Sequence, residues 1–495
     1  MKLTYLKSVL LLLISLSAVV THAQTKDSID LFLEAKMQQK HIPGLQLAIV
    51  QHGKIVKVAN YGLANIEQNV ATNAESVFNI NSITKAFVGV AVMQLQEAGK
   101  LNVQDPISRY IDSLPDAWQG ITLKQILTNS SGLPNITEPN EHVLGDGTEQ
   151  SAWNAVRKLP MQFKPGEHFS YNQTGYVILG MIINKLSGEH FTKFIQDKQF
   201  NVAAMKQTRF GDSYDIIPHY AGAYSHLQNV NGRLIKKDKL GNAYIDFPVF
   251  FRTATGILST ATEMANWIIA LQDGKLLKDK ASLTTLWTPG ILNNGKIGGF
   301  NSLNNGYALG WPTVTRPEHP AVGPVGGGRS AFFLYLKDDL TIIVLTNLLG
   351  SNPEGFIDEI AGYYHPDMKE SNGFGLSPGI KKLRIELLRQ GFDKAEKIAL
   401  SLKKKDPTIQ FEENDVNTWG YKLMAQDKKE EALAIFKLNA TLYPQSFNAY
   451  DSLGEIMETL GDRSGAIKNY SRSLELNPKN YNAADHLKSL NLNKE

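Results

Sequence analysis

The chain contains no cysteine, which excludes disulfides, thiolate metal sites and a thiol nucleophile, together with lipid attachment through an N-terminal cysteine. Strong charge of either sign is also missing: 51 Lys and Arg stand against 48 Asp and Glu, a formal net charge of +3. That balance carries no electrostatic footprint for nucleic acid, so no nucleic-acid partner is expected. The 11 histidines form no H-E-x-x-H or similar spacing and no G-x-x-x-x-G-K-[ST] loop occurs, so neither a metal nor a cofactor is expected. Long apolar runs are confined to Val9–Val20, preceded by Lys2 and Lys7 and followed by Thr21 and Ala23. This is the pattern of a secretory leader, cut after Ala23, and its apolar run falls short of the ~20 residues that span a bilayer. The expectation is a periplasmic or secreted bacterial protein with no stable membrane insertion after cleavage, and loss of the leader's two lysines lowers the charge further.

What remains is ordinary for a soluble globular chain: 495 residues, 42% hydrophobic and 20% charged, enough for two or more domains. After the leader (residues 1–23), Asp27 to Gln39 reads as a helix, and "GLQLAIVQHGKIVKVANYG" as two strands joined at His52-Gly53. A second hairpin, "AFFLYLKDDLTIIVLTN", turns at Lys337 to Asp339, and helical patterns such as Thr174–Leu186 and Thr262–Asp273 lie between the two hairpins. An antiparallel sheet built from both ends of a domain, with a mostly helical insertion and a closing helix from Ile357 to Tyr364, is an α+β plan over residues 24–364. Residues 365–379, rich in Pro, Gly and Ser, read as a linker. Beyond them, in 380–495, Gly420 and Gly454, Ala432 and Ala466, Phe436 and Tyr470, and Pro444 and Pro478 each stand 34 residues apart. That period, with small residues where helices cross and proline ending each unit, is the tetratricopeptide pattern and predicts an all-α repeat domain.

The chemistry starts in "FNINSITKAF". Ser82 and Lys85, three apart, precede an apolar run from Ala86 to Leu95 that is hydrophobic almost all round, as in a helix buried inside a domain. That spacing stacks the amine and the hydroxyl on one helical face. A buried lysine is costly when charged, and one whose pKa falls becomes a usable base. Spacing alone is weak, since Ser401 and Lys404 in "SLKKKDP" repeat it on a charged face, and a helix N-cap beside a snorkelling lysine is the competing reading.

With "GKLNVQDPISRYI", "ITLKQILTNSSGLP", "FKPGEHFSYNQTGYVILG" and "TATGILSTATEMANW" following in order, the chain from about Leu31 to Asn347 resembles the β-lactamase-related serine hydrolases, which include class C β-lactamases, D,D-peptidases, D-aminopeptidases and esterases. The resemblance implies Ser82 as nucleophile, Lys85 as the group that takes or relays its proton, and Tyr171 as partner base and then acid. It also implies an oxyanion site between the Ser82 N–H and a sheet-edge N–H, from Gly327 or Gly328. Three departures stand out. Gln173 occupies the amide position of a Tyr-x-Asn motif. Asn129 replaces a loop histidine. In "VGPVGGGRSAF" the Lys or His of the third motif gives way to Pro324 or Val325, with Arg329 as the neighbouring cation. The expected activity is hydrolysis of an ester or amide, in a small molecule or peptide, through an acyl-Ser82 intermediate. The alternative is a hydrolase fold that has lost its rate and serves as a scaffold. A protein partner is expected at the helical repeats.

Overall fold

The computed structural model describes residues 26–138, 142–230, 233–244 and 246–492; the expected leader lies outside them. The chain divides into two compact units at Tyr364 and His365. In the first, an antiparallel sheet runs in the order Val70–Ala71, Lys54–Asn65, Gly44–Gln51, Leu340–Thr346, Ser330–Tyr335, Ala321–Val322, Pro312–Val314, Gly306–Tyr307, with Val325–Gly326 also paired to Ser330–Tyr335. The two hairpins read from sequence meet at its centre, Leu45 opposite Thr346 and Gln51 opposite Leu340. Gly44–Val50, Ser330–Tyr335 and Leu340–Thr346 are buried at every position. Continuous apolar runs of this kind fit strands covered on both faces, whereas Lys54–Asn65 alternates exposed and half-buried positions.

One face is closed by the terminal helices Ser28–Lys40 and Ile357–Ala361. Phe32 meets Phe356 and Tyr363 with ring centroids 6.5 and 6.2 Å apart, and the Tyr335 hydroxyl and Arg316 guanidinium both bind Asp358. The other face receives the helix Ala261–Gln272 and, beyond it, the helical insertion. At the centre of that insertion lies the helix Thr84–Glu97, in which every residue from Thr84 to Met93 is buried. Its apolar girth, with no polar stripe, is what burial on all sides demands.

The second unit holds seven helices among the described residues, from Pro378–Gln390 to Tyr481–Leu492. The 34-residue period reappears as repeated geometry. A Cβ on Gly420 would fall 2.6 Å from the Phe436 ring, and one on Gly454 2.8 Å from the Tyr470 ring. In both repeats glycine lets an aromatic side chain of the following helix pack on the backbone of the preceding one. Residues 365–379, read as a linker, contain turns at Pro366–Met368 and Glu370–Asn372, bury Met368 and Phe374, and group with this helical unit.

Candidate active site

Ser82 lies one step earlier than a simple helical reading places it, in a 3₁₀ turn (Asn81–Ile83) that feeds the helix Thr84–Glu97. In a 3₁₀ turn residues i and i+3 eclipse, so the Ser82-to-Lys85 spacing still aligns the two side chains. The turn is pinned from both sides. Ile80 N–H donates to the Ile257 carbonyl at 3.1 Å, Ile257 N–H donates to Thr84 Oγ1 at 3.1 Å, and Ser330 Oγ donates to the Asn79 carbonyl at 3.0 Å. Ser82 is partly exposed, whereas Lys85 is fully buried. Lys85 Nζ donates to the Ala254 carbonyl at 2.6 Å and sits 4.7 and 5.0 Å from the ring centroids of Tyr171 and Tyr176. A carbonyl dipole and two π faces compensate part of the cost of burying an amine there.

Tyr171 is one of three tyrosines grouped near the lysine. Tyr176 and Tyr307 are buried, and that burial pushes both phenols well above the ordinary tyrosine range, which keeps them neutral. Tyr176 spends its hydroxyl proton on the Leu127 carbonyl at 3.1 Å. Tyr171 is half-buried and opens to the surface, so it alone of the three combines access with contact to the lysine. Its ring packs against Phe300 (5.0 Å between centroids) and Tyr307 (6.3 Å), and Phe300 is 40% exposed. Gln173 precedes the helix Thr174–Ser187 and donates its N–H to Asn135 Oδ1 at 3.0 Å, while its Oε1 is buried with no hydrogen-bond partner in the structure.

The register left open in "VGPVGGGRSAF" is settled by strand pairing. Ala321 opposite Tyr335, Val322 opposite Leu334, Val325 opposite Ala331 and Gly326 opposite Ser330 keep one continuous register, and Phe332 N–H donates to the Pro324 carbonyl at 3.1 Å. Side chains alternate, so Pro324 and Gly326 share the face of Ser330, which bonds the nucleophile segment, and Val325 points to the opposite face. Gly326 lies so close that a Cβ there would be 2.0 Å from the Ile80 carbonyl oxygen and 3.3 Å from Ser82 N. Gly327 and Gly328 form the turn, both at positive φ, closed by Arg329 N–H to the Gly326 carbonyl at 3.0 Å. A Cβ on Gly327 would be 2.7 Å from Asn81 Nδ2, beside the nucleophile. Gly328 instead turns its carbonyl to the N–H groups of Gly350 and Asn352. Arg329 is buried in the turn that leads into the strand Ser330–Tyr335. The structure therefore gathers Ser82, Lys85, Tyr171 and Gly327, with the Gly328 carbonyl bound to the Gly350 and Asn352 N–H groups and Arg329 buried in the same turn.

The family described as Beta-lactamase matches residues 29–362. The chain belongs to the β-lactamase family. Over 332 residues it is 28% identical to Protein flp of Staphylococcus aureus strain MW2, covering 66% of this chain and 63% of that protein. It is 30% identical over 274 residues to the putative penicillin-binding protein PbpX of Bacillus subtilis strain 168, covering 52% of this chain and 66% of that protein. The chain thus spans less than two thirds of the length of these relatives. Among solved structures it resembles the octameric penicillin-binding protein homologue of Pyrococcus abyssi (TM-score 0.58, 23% identity, 72% of this chain and 80% of that one). It also resembles the D-amino acid amidase of Ochrobactrum anthropi SV3 complexed with L-phenylalanine (TM-score 0.57, 21% identity, 68% and 97%). At these identities the structures speak to fold, a β-lactamase/transpeptidase-like sheet with helices.

Within this β-lactamase-family domain, sequence reasoning missed the groups that reach the site from far along the chain. The Ala254 carbonyl, Phe300 and Tyr307 carry no motif of their own; only the quoted segment around Ala254 hinted at a role.

Proposed function

We propose that the first unit is a serine hydrolase that cleaves an ester or amide through an acyl-Ser82 intermediate. The observation that carries this reading is the fully buried Lys85 amine, 4.7 Å from the Tyr171 ring centroid and one 3₁₀ turn beyond a partly exposed serine. In the first step the Ser82 hydroxyl attacks the carbonyl carbon as Lys85, with Tyr171, takes its proton. Charge on the carbonyl oxygen meets the Ser82 and Gly327 N–H groups, and the proton returns to the leaving group. Water then repeats the sequence on the acyl-enzyme. Gln173, at the amide position of the Tyr-x-Asn motif, is proposed to contact the polar groups of the substrate. Among β-lactams, D-amino-acid peptides and small esters, pocket loops decide.

A second reading is favoured by one observation: Pro324 puts no cation on the Ser82 face of the edge strand, so a slow or silent site that serves as a scaffold fits that residue. The second unit, which we read as tetratricopeptide-like from its repeated glycine–aromatic packing, is proposed to hold a protein partner, and the protein is proposed to work in the periplasm or outside the cell after leader removal. Labelling of folded protein by a fluorophosphonate, abolished by Ser82→Ala, supports the hydrolase. Absence of labelling by fluorophosphonates and β-lactams alike supports the scaffold.

A further inference from the structure

The loop after the short helix Leu123–Leu127 holds the segment that follows Tyr171 through Leu133, Pro134 and Asn135, which accept from Asn172, Thr174 and Gln173, and it brackets Tyr171 itself through Asn129. Asn129 is 1% exposed. Its Oδ1 accepts the Asn172 N–H at 3.1 Å, and its backbone carbonyl accepts the Ser170 N–H at 2.9 Å. These two N–H groups flank Tyr171 on either side. Holding the residues before and after Tyr171 fixes its backbone dihedrals, and with them the direction of its Cα–Cβ bond. Asn129 is itself held: its N–H donates to the Ile126 carbonyl at 3.0 Å, and the next residue, Ser130, donates to the Gln125 carbonyl at 2.8 Å. Its φ of +54° lies in the left-handed region, which asparagine and glycine enter more easily than other residues. The amide group also lies beside the hydroxyl of Tyr307, whose ring packs on Tyr171.

We propose that Asn129 is the positioning residue for Tyr171, a clasp that aims the phenol at Lys85 and Ser82. This rests on the acyl-serine reading of the site. A misplacement of ~1 Å in a proton-transferring group costs on the order of 100-fold in rate, so the side-chain half of the clasp has a measurable effect. Asn129→Gly is the informative variant, because glycine keeps the left-handed backbone and the carbonyl bond to Ser170 while removing the side-chain amide, both the Oδ1 acceptor for Asn172 and the contact with the Tyr307 hydroxyl.

The experiment measures the rate of fluorophosphonate labelling of Ser82 in the full chain for the wild type, Asn129→Gly, Tyr171→Phe and the double variant. Asn129→Gly is expected to slow labelling by about 10- to 100-fold, and to slow it by less than about twofold when Tyr171 is already phenylalanine, because a residue that acts through another is not additive with it. Equal slowing in both backgrounds, or wild-type labelling in Asn129→Gly, overturns the proposal. A second readout does not depend on chemistry. In protein carrying ring-labelled tyrosine, the Tyr171 resonance, assigned by its loss in Tyr171→Phe, is expected to shift or broaden in Asn129→Gly; an unchanged resonance overturns the clasp. If the wild type is not labelled at all, the acyl-serine reading fails, and the resonance still decides whether Asn129 orders Tyr171.

Discussion

Pro324 stands where the family resemblance implies a Lys or His, and its place on the Ser82 face makes the consequence testable. A cation there, within ~4–6 Å of a phenol, favours the ionised form, so Pro324→Lys is expected to move the rising limb of the acylation rate profile to lower pH by about one unit and to raise the rate at pH 7 by about tenfold. Val325→Lys, on the opposite face, is expected to leave the profile where it is, and stopped-flow acylation across pH 6–10 compares the two. Gly326 offers a steric counterpart. Its missing Cβ would meet the Ile80 carbonyl at 2.0 Å, so Gly326→Ala should displace the edge strand from Ser82, lower stability by about 1–3 kcal/mol and slow labelling beyond what the fall in folded fraction explains. At this scale the sequence disclosed Ser82, Lys85 and Tyr171, because short local spacing and an all-apolar helix carry them. It left Pro324 and Val325, and Gly327 and Gly328, unresolved because a strand's facing depends on cross-strand pairing that one segment does not contain. Asn129 looked like a simple loss of histidine, and only its bonds around Tyr171, about 40 residues further along the chain, show its place.

Among the elements, both sheet hairpins and the main helices were legible, since each has a clean period and a turn or cap at its ends, although the strand read as far as Gly62 runs on to Asn65 and the closing helix read over Ile357–Tyr364 forms only as Ile357–Ala361. The helix predicted over Asp27–Gln39 forms as Ser28–Lys40 behind an Asp27 capping box. It is tied to the second strand by Asp30, which receives Lys57 Nζ at 2.7 Å and the Tyr61 hydroxyl at 2.6 Å. Burial alone would raise the Asp30 carboxyl, but bonds from Lys57 and Tyr61 outweigh it and hold the group at about 2, below its ordinary 3.8. A carboxylate with a depressed pKa in the folded state stabilises it above the unfolded value, and that contribution fades as pH falls toward about 2. Asp30→Asn is therefore expected to cost up to about 2 kcal/mol at pH 7, with the gap to wild type closing between roughly pH 4 and pH 2; urea melts at several pH values read it directly. Less legible was the 3₁₀ turn carrying Ser82, which shares its apolar pattern with the helix that follows.

For the whole molecule, the division at Tyr364 and His365 separates a sheet-centred unit holding every candidate catalytic group from a helical unit with its own apolar core. A chain ending at Tyr364 is expected to fold and to label at Ser82 within about threefold of the full chain's rate, because each unit buries its own core; circular dichroism and the labelling rate check this together. The helical repeats were legible because a 34-residue period is written in the glycine, alanine, aromatic and proline positions themselves. The central claim, that Ser82 is an activated nucleophile, is tested most directly by mass spectrometry of the folded protein after fluorophosphonate treatment. The account predicts one phosphonyl adduct, on Ser82, absent in Ser82→Ala and slowed by about 100-fold or more in Lys85→Ala. An intact, folded wild type that acquires no adduct, or one that labels equally well without Ser82, contradicts it.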